Sequence, residues 1–526
     1  MTQAAPTTAE VAATVGRQIG LARAAKNNGD EGGQKNHAEA ALNTLKTVEL
    51  NYENLDWRQL AEGDAQFLLG NLPAAEKAYR QAMVAAPQQS GGYQRLAELL
   101  YETNRSEDLN KHVNLCLQKF PDETYFLKMQ AVGAAANQNY DVAIPALAKA
   151  FSANNADHEI ADALGTCLQN INHYDEAVLY HAHALELQPT NAAYAVRYGL
   201  AFVGVGEQEA AIELFRHAIN LSPNFSDAYA YLGYALQNQG LDDEAHEIFK
   251  QGIERDPDHP NLNFFYGRFM QAKGEPEAAL KHFGTAVDAK GPEAETAEFL
   301  SASITGDNPE KAPEKFIRGL FDFYAPNFES SLISNLQYRS PGVLHDMLLR
   351  PAVAAVRDVT KNKQNILDLG CGTGLMGVMV KSYAERLVGV DLSHNMLLRA
   401  NEKGIYDQTR RQDITAYLNE MEAGSFDIVV SADVFIYIGN LQPVFSALGQ
   451  KLKPAALVMF SCELLSEDGD PKGYKLHSNV RYAHKDSYIR KLAADHGFDI
   501  ISTDESAVRQ QAGKPVPGMH YVLAKK

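Results

Sequence analysis

Residues Ile366-Leu-Asp-Leu-Gly-Cys-Gly-Thr-Gly-Leu-Met-Gly377 decide how the C-terminal part of this 526-residue chain folds. An apolar run, Ile366 to Leu369, carries one acid, Asp368, and passes straight into glycines at 370, 372 and 374. Apolar residues bounded by breakers predict a buried strand. The glycines predict a tight turn that aims the next helix's N-terminus at a ligand. A second apolar strand, Arg386 to Val390, leads into Asp391, about twenty residues on, where a doubly wound fold holds a ribose. Together these features predict an adenosine-containing ligand.

Two ligand types compete for the loop. Gly372-Thr-Gly374-Leu-Met-Gly377 satisfies the GxGxxG pattern of a dinucleotide site, which alone is a weak signal. Asp368 argues against a diphosphate, because a carboxylate beside it is repulsive, whereas an ammonium or a sulfonium is tolerated or attracted. The string DLGCGTG at 368–374, with VGVDLS at 388–393, resembles the cofactor motifs of class I S-adenosylmethionine-dependent methyltransferases. That resemblance implies a cofactor site of Asp368, Gly370, Cys371, Gly372 and Gly374, with Asp391 on the ribose. It adds Leu392, Met396, Asp413 and Ile414, Asp413 meeting the adenine amino group, and Ala432 and Asp433 toward the methionine end.

The rest of the segment agrees. Phe426 to Val430 reads as strand four, broken at Ser431 to Asp433; Ala456 to Glu463 reads as strand five, after a helix that ends before Pro454. Phe498–Thr503 and His520–Ala524 read as two strands joined by the Gly/Pro-rich loop 513–518, and so as antiparallel neighbours. The resemblance likewise implies a last strand inserted antiparallel.

The front of the chain is periodic. Prolines stand at 87, 121, 189, 223 and 257, all multiples of 34 apart. Small residues keep the same phase: Ala82, Cys116, Ala150, Ala184, Ala218, Gly252 and Ala286 in one column, Gly63, Ala97, Ala131, Gly165, Gly199, Gly233 and Gly267 in another. Large residues (Tyr79, Phe215, Phe249, Phe283) hold a further offset. A period of about 34 with paired small-residue columns marks tetratricopeptide repeats, here about seven.

The expected fold class is therefore α plus α/β: an all-α repeat superhelix, then a Rossmann-like doubly wound sheet with an antiparallel last strand. The expected domains are a helical cap over 1–55, repeats over 56–293, a linker with lead-in helices over 294–350, and the methyltransferase-like domain over 351–526. In the cap, 10–26 and 34–50 read as helices separated by a break at Asn28 to Gly33.

Net charge is −18, carried by the front: residues 1–350 hold 27 basic against 46 acidic residues, residues 351–526 hold 21 against 20. Such a surface is a poor partner for nucleic acid. A basic peptide or protein suits it better, although acidic helix faces are also ordinary solvated surface. No stretch reaches the length of a membrane span, and the first eight residues lack a signal peptide's apolar core. The four cysteines, 116, 167, 371 and 462, have no metal spacing and fit a reducing compartment. The expectation is a soluble, cytoplasmic protein without a metal site; assembly into a homo-oligomer stays open.

Phe316 to Phe328 and Leu336 to Pro341 resemble the lead-in helices of bacterial methyltransferases that carry N-terminal tetratricopeptide repeats, and Tyr474 to His484 resembles their segment after strand five. In class I enzymes these two segments build the acceptor wall, which implies Tyr324, Tyr338, Arg339, Tyr474 and Arg481 as substrate-binding residues; Tyr437, in the stretch after strand four, is a further substrate-binding candidate. If the acceptor arrives protonated a base is needed, and the candidates are His477 and His484, with Tyr482 beside them. Core packing for Tyr482 and helix capping for His484 are the competing readings. Three functions remain: a methyltransferase for a protein or peptide recruited by the repeats, a small-molecule methyltransferase whose repeats serve assembly, and a non-catalytic cofactor-binding scaffold. The unspoiled glycine loop, Asp391 and Asp413 speak against the third. The concave surface of tandem repeats favours the first.

Overall fold

The structure, a computed structural model, describes residues 7–47, 55–325, 328–329, 339–511 and 514–526. By contact density the chain divides into two compact units between Leu214 and Phe215, a division that falls inside the repeats.

An initial pair, α1 (Thr8–Asn27) and α2 (Glu31–Leu45), precedes the repeats. The break between the two helices is shorter than the sequence suggested, because Asp30 accepts the Gly33 N–H at 2.9 Å and starts α2 ahead of Gly32 and Gly33. The end of the expected second cap helix, 48–50, lies outside the described residues.

Seven helix pairs follow. They are α3 (Leu55–Leu68) with α4 (Leu72–Ala85), α5 (Gly91–Glu102) with α6 (Ser106–Lys119), α7 (Thr124–Ala136) with α8 (Tyr140–Ala153), and α9 (His158–Asn170) with α10 (Tyr174–Leu187). Then come α11 (Ala192–Val205) with α12 (Gln208–Leu221), α13 (Ser226–Asn238) with α14 (Asp242–Arg255), and α15 (Pro260–Ala272) with α16 (Pro276–Asp288). The columns now have a cause. A methyl group added to Gly63 would sit 2.4 Å from the Tyr79 ring, one on Gly233 2.5 Å from Phe249, and one on Gly267 2.7 Å from Phe283. Each glycine admits the aromatic of its own repeat's second helix, so the two columns are two sides of one contact.

Helices α17 (Ala294–Thr305) and α18 (Glu314–Tyr324) lead to α19 (Ser340–Leu348) and α20 (Pro351–Ala354). The alternation that follows is β1 (Gln364–Leu369), α21 (Leu375–Val380), β2 (Ala384–Asp391), α22 (His394–Glu402), β3 (Gln408–Arg411), α23 (Ile414–Glu420), β4 (Ile428–Ser431), α24 (Gln442–Lys451) and β5 (Leu457–Leu464). The five strands are parallel, in the order β3-β2-β1-β4-β5. Leu367, Val388, Val429 and Phe460 face one apolar layer, and Ile366, Leu387, Ile428 and Leu457 face the other, so both faces are covered.

The last elements are β6 (Tyr474–Leu476), β7 (Tyr482–His484), α25 (Asp486–Asp495), β8 (Phe498–Gln511) and β9 (Lys514–Lys525). Strand β9 runs antiparallel to both β5 and β8, as expected. Two readings need correction. Strands β8 and β9 are far longer than read, and Pro515 and Pro517 lie within β9 rather than in a loop. These prolines lie beyond the part of β9 that pairs with β5, an edge where a missing N–H is tolerated. The segment 474–484 is also a small hairpin, and β7 pairs with β5 at Glu463 and Leu464, beyond the reach of β4.

Candidate functional site

A cavity of about 540 Å³ opens at the C-terminal ends of β1, β2 and β4. Its floor begins where β1 stops. Gly370, at φ 66°, lies so close to Val434 that an added Cβ would stand 2.3 Å from a side-chain carbon, so only glycine fits both the angle and the space. The N–H groups of Gly370 and Cys371 donate to the Val390 carbonyl, which ties the loop to the end of β2. Asp391 then accepts the Gly372 N–H at 2.9 Å on one oxygen and the Ser393 N–H at 2.8 Å on the other. Burial lifts its carboxyl to about 6 against those two donors.

Asp368 is almost wholly buried and accepts the Tyr406 hydroxyl at 2.7 Å. Burial raises it to about 7, and the neighbouring charge of Asp391 adds to the rise. Tyr406 is a residue that sequence reasoning missed, and it explains glycines the motif left unassigned. Its ring and hydroxyl fill the space beside Gly374, Gly377 and Gly389, at 3.1, 2.3 and 3.0 Å from where a Cβ would be. Three small residues at those positions were the only signal of its presence. Gly377, the last glycine of the apparent dinucleotide pattern, thus makes room for a tyrosine.

Of the cofactor candidates, Asp368, Gly370, Cys371, Gly372, Asp391, Leu392, Asp413, Ile414, Ala432 and Asp433 line the cavity. Asp413 also caps α23, accepting the N–H groups of Thr415 and Ala416 at 3.0 Å. Asp433, at φ 57°, receives hydroxyls from Ser461 at 2.6 Å and Ser340 at 3.1 Å, and burial raises its carboxyl. Gly374 and Met396 do not line it: Gly374 faces Tyr406, and Met396 is fully buried in α22.

The far wall comes from α18, the turn after β4 and the β6–β7 hairpin: Ile317, Leu320, Phe321, Ile436 and Val480 supply apolar surface. Tyr324, Tyr437 and Arg481, three of the substrate candidates, line the same wall, and Arg481 interacts with Tyr437 there. Arg509 of β8 also reaches the cavity, in a buried ion pair with Glu463 at 2.5 Å. It was missed because its stretch read as the approach to a loop. Asp322 of α18 was missed as well; it accepts the Ser393 hydroxyl at 2.6 Å and so docks the lead-in helix on the loop after β2.

The remaining candidates are elsewhere. His484 is fully buried, its Nε2 lies 2.9 Å from the Ile438 carbonyl and 3.1 Å from that of Gly439, and burial lowers it to about 4. It braces the β4 turn from behind and does not cap α25, which starts at Asp486. Tyr482 is fully buried and donates its hydroxyl to the Pro309 carbonyl at 3.0 Å; Tyr474 packs edge-on against it. These three, with Tyr488, form an aromatic cluster that supports the hairpin outside the cavity. His477 is held in the hairpin turn by its own N–H on the Arg481 carbonyl at 2.9 Å, and it too does not line the cavity. Arg339 is exposed at the start of α19 and does not line the cavity, and Tyr338 lies outside the described residues.

Comparison with known proteins agrees with this architecture. Residues 367–460 match a family model described as a methyltransferase domain, and 199–240 and 226–259 match models described as TPR repeat and tetratricopeptide repeat. An uncharacterized methyltransferase of Schizosaccharomyces pombe is 28% identical over 184 residues, 32% of this chain and 62% of that protein. A malonyl-[acyl-carrier protein] O-methyltransferase of Halalkalibacterium halodurans is 31% identical over 156 residues, 28% of this chain and 55% of that protein. Phosphoethanolamine N-methyltransferase 1 of Triticum aestivum is 26% identical over 202 residues, 33% of this chain and 39% of that protein. The chain thus spans less than two thirds of the length of each of these relatives. Among the described residues, no helix is long and apolar enough to cross a membrane. The chain carries tetratricopeptide repeats followed by a methyltransferase domain.

Proposed function

We propose that this chain transfers a methyl group from S-adenosylmethionine to an acceptor admitted between α18, the turn after β4 and the β6–β7 hairpin. The observation that carries the reading is the set of acids, Asp368, Asp391 and Asp413, around a glycine turn in one cavity. Asp391 is the ribose-binding residue of this reading and Asp413 the adenine-binding one. Asp368 stands where it attracts a cationic ligand and repels a diphosphate. When bound, the cofactor supplies an electrophilic methyl group on its sulfonium. The chain's part is to hold the acceptor in line with it and to keep water out, positioning that can supply roughly 7–11 kcal/mol. The apolar wall of Ile317, Leu320, Phe321 and Val480 serves the second purpose.

The acceptor of this reading belongs to a protein or peptide that the repeats capture, which raises its concentration at the cavity. The seven helix pairs support it, since such arrays bind extended chains. A specific observation favours a second reading, an O- or N-methylated small molecule with the repeats used for assembly: the cavity has the size of ordinary small-molecule sites.

One experiment addresses both levels. The full chain, incubated with extract and labelled methyl donor, should transfer label, and the fraction carrying it, protein or small molecule, selects between the readings. Asp391→Ala should weaken S-adenosylmethionine by about tenfold or more in calorimetry, with helix content unchanged. Undiminished affinity would remove the ribose assignment.

A further inference from the structure

The charged groups of the acceptor side are almost all accounted for. Lys311 and Glu314, at the wall contributed by α18 and its approach, pair with each other at 3.5 Å. Arg509 pairs with Glu463 in the buried interior. Asp433 is held by the hydroxyls of Ser461 and Ser340, and burial favours its neutral form. Arg481 is different. It lines the cavity beside Tyr437, and it forms no ion pair among the described residues. Burial disfavours its charge, while Tyr437 and Glu463 favour it, and a guanidinium stays protonated at any working pH. A guanidinium half-withdrawn from water with donors to spare is a receptor for a planar or tetrahedral oxyanion.

Resting on the methyltransferase reading above, we propose that the acceptor is an organic anion, a carboxylate or a phosphate monoester. Its charged group pairs with Arg481 beside Tyr437, and its apolar portion lies on Ile317, Leu320 and Val480. The ion pair makes Arg481 a specificity-determining residue: a cationic or neutral acceptor of the same size leaves the guanidinium unneutralised in a poorly solvated wall.

The test uses the full chain loaded with S-adenosylhomocysteine and four probes of one size, hexanoate, hexyl phosphate, hexylamine and hexanol, titrated by ligand-detected NMR. At least one anion should bind about tenfold or more tightly than the amine and the alcohol. Arg481→Gln should reduce that binding by about tenfold or more, while Arg481→Lys keeps most of the preference for anions. The S-adenosylhomocysteine affinity should be the same in all three chains. Equal binding of the amine or alcohol, binding of neither anion, or an anion affinity indifferent to Arg481→Gln would overturn the proposal. So would a loss confined to S-adenosylhomocysteine, which would make Arg481 part of the cofactor's site. If the chain binds no S-adenosylhomocysteine at all, the methyltransferase reading fails by itself, and the same titrations on the unloaded chain still decide what Arg481 recognises. The carboxylate and phosphate arms separate the two sources of the anion.

Discussion

Between the end of β1 and the Tyr406 hydroxyl, Asp368 is shut away from water, and its carboxyl stands at about 7 in the folded chain, against about 3.9 for an unfolded one. The sign follows from linkage. The group's contribution is fully present below the unfolded value and is lost as pH rises from there through 7, so at pH 8 the ionised group costs on the order of 4 kcal/mol. Asp368→Asn should therefore raise the melting temperature at pH 8. The gain should shrink toward zero near about pH 3, where the native side chain is largely protonated in both states. The same substitution should weaken S-adenosylmethionine. In the unaltered chain, cofactor affinity should fall by up to about tenfold per pH unit between about pH 7 and pH 6 and more steeply from there to about pH 5, as Asp368 and then Asp391, at about 6, are protonated. A melting temperature lowered at pH 8, or an affinity flat across that window, would show that burial does not govern these groups. The acids were legible because motif position marks them. Tyr406 was not, since nothing in a linear pattern says which aromatic will lie over three glycines, or that its hydroxyl will end on Asp368.

Among the elements, the β6–β7 hairpin is the least self-sufficient, with three residues in each strand. It is held from outside by Asn308, whose amide donates to the Tyr474 carbonyl at 2.7 Å and whose oxygen accepts the Leu476 N–H at 3.0 Å. One side chain thus imitates a neighbouring strand. Asn308→Ala leaves two backbone groups at the edge of β6 without that partner, a cost of about 1–3 kcal/mol. Amide exchange at Leu476 should accelerate correspondingly, with the amides of β1 unaffected; an unchanged Leu476 rate would mean that the hairpin stands without Asn308. The hairpin escaped the sequence reading for a related reason. Strands this short, joined by His477 to Arg481, show no alternation to read, and their stability comes from a residue 166 positions away. Helix α18 has the opposite character: its apolar run was visible, but Asp322, which fixes it to Ser393, looked like any surface acid.

At the scale of the molecule, the repeats were legible because one contact recurs. A glycine in the first helix meets an aromatic in the second, and that forces two columns into phase at 34-residue intervals. The parallel strands were legible from apolar runs and glycine turns. The boundary between repeats and sheet was not, because the chain uses the end of one to finish the other. Phe299 of α17 packs on Phe316 and Tyr482, the Pro309 carbonyl takes the Tyr482 hydroxyl, and the Glu310 carbonyl takes the N–H groups of Gly439 and Asn440. Phe299, Pro309 and Glu310 all lie ahead of α18, in a segment that reads as linker, yet they brace the wall of the cavity. Two fragments separate the possibilities. A fragment 294–526 keeps α17, Asn308, Pro309 and Glu310, whereas 313–526 removes them along with the buried Phe299. Losing a large buried aromatic alone costs about 3–5 kcal/mol, and each hydrogen bond about 1 kcal/mol more. The shorter fragment should therefore unfold at a clearly lower urea concentration, with rapid exchange across the hairpin, while the longer one keeps its S-adenosylmethionine affinity. Coincident urea midpoints would mean that the methyltransferase domain begins at α18 and that α17 is only its neighbour.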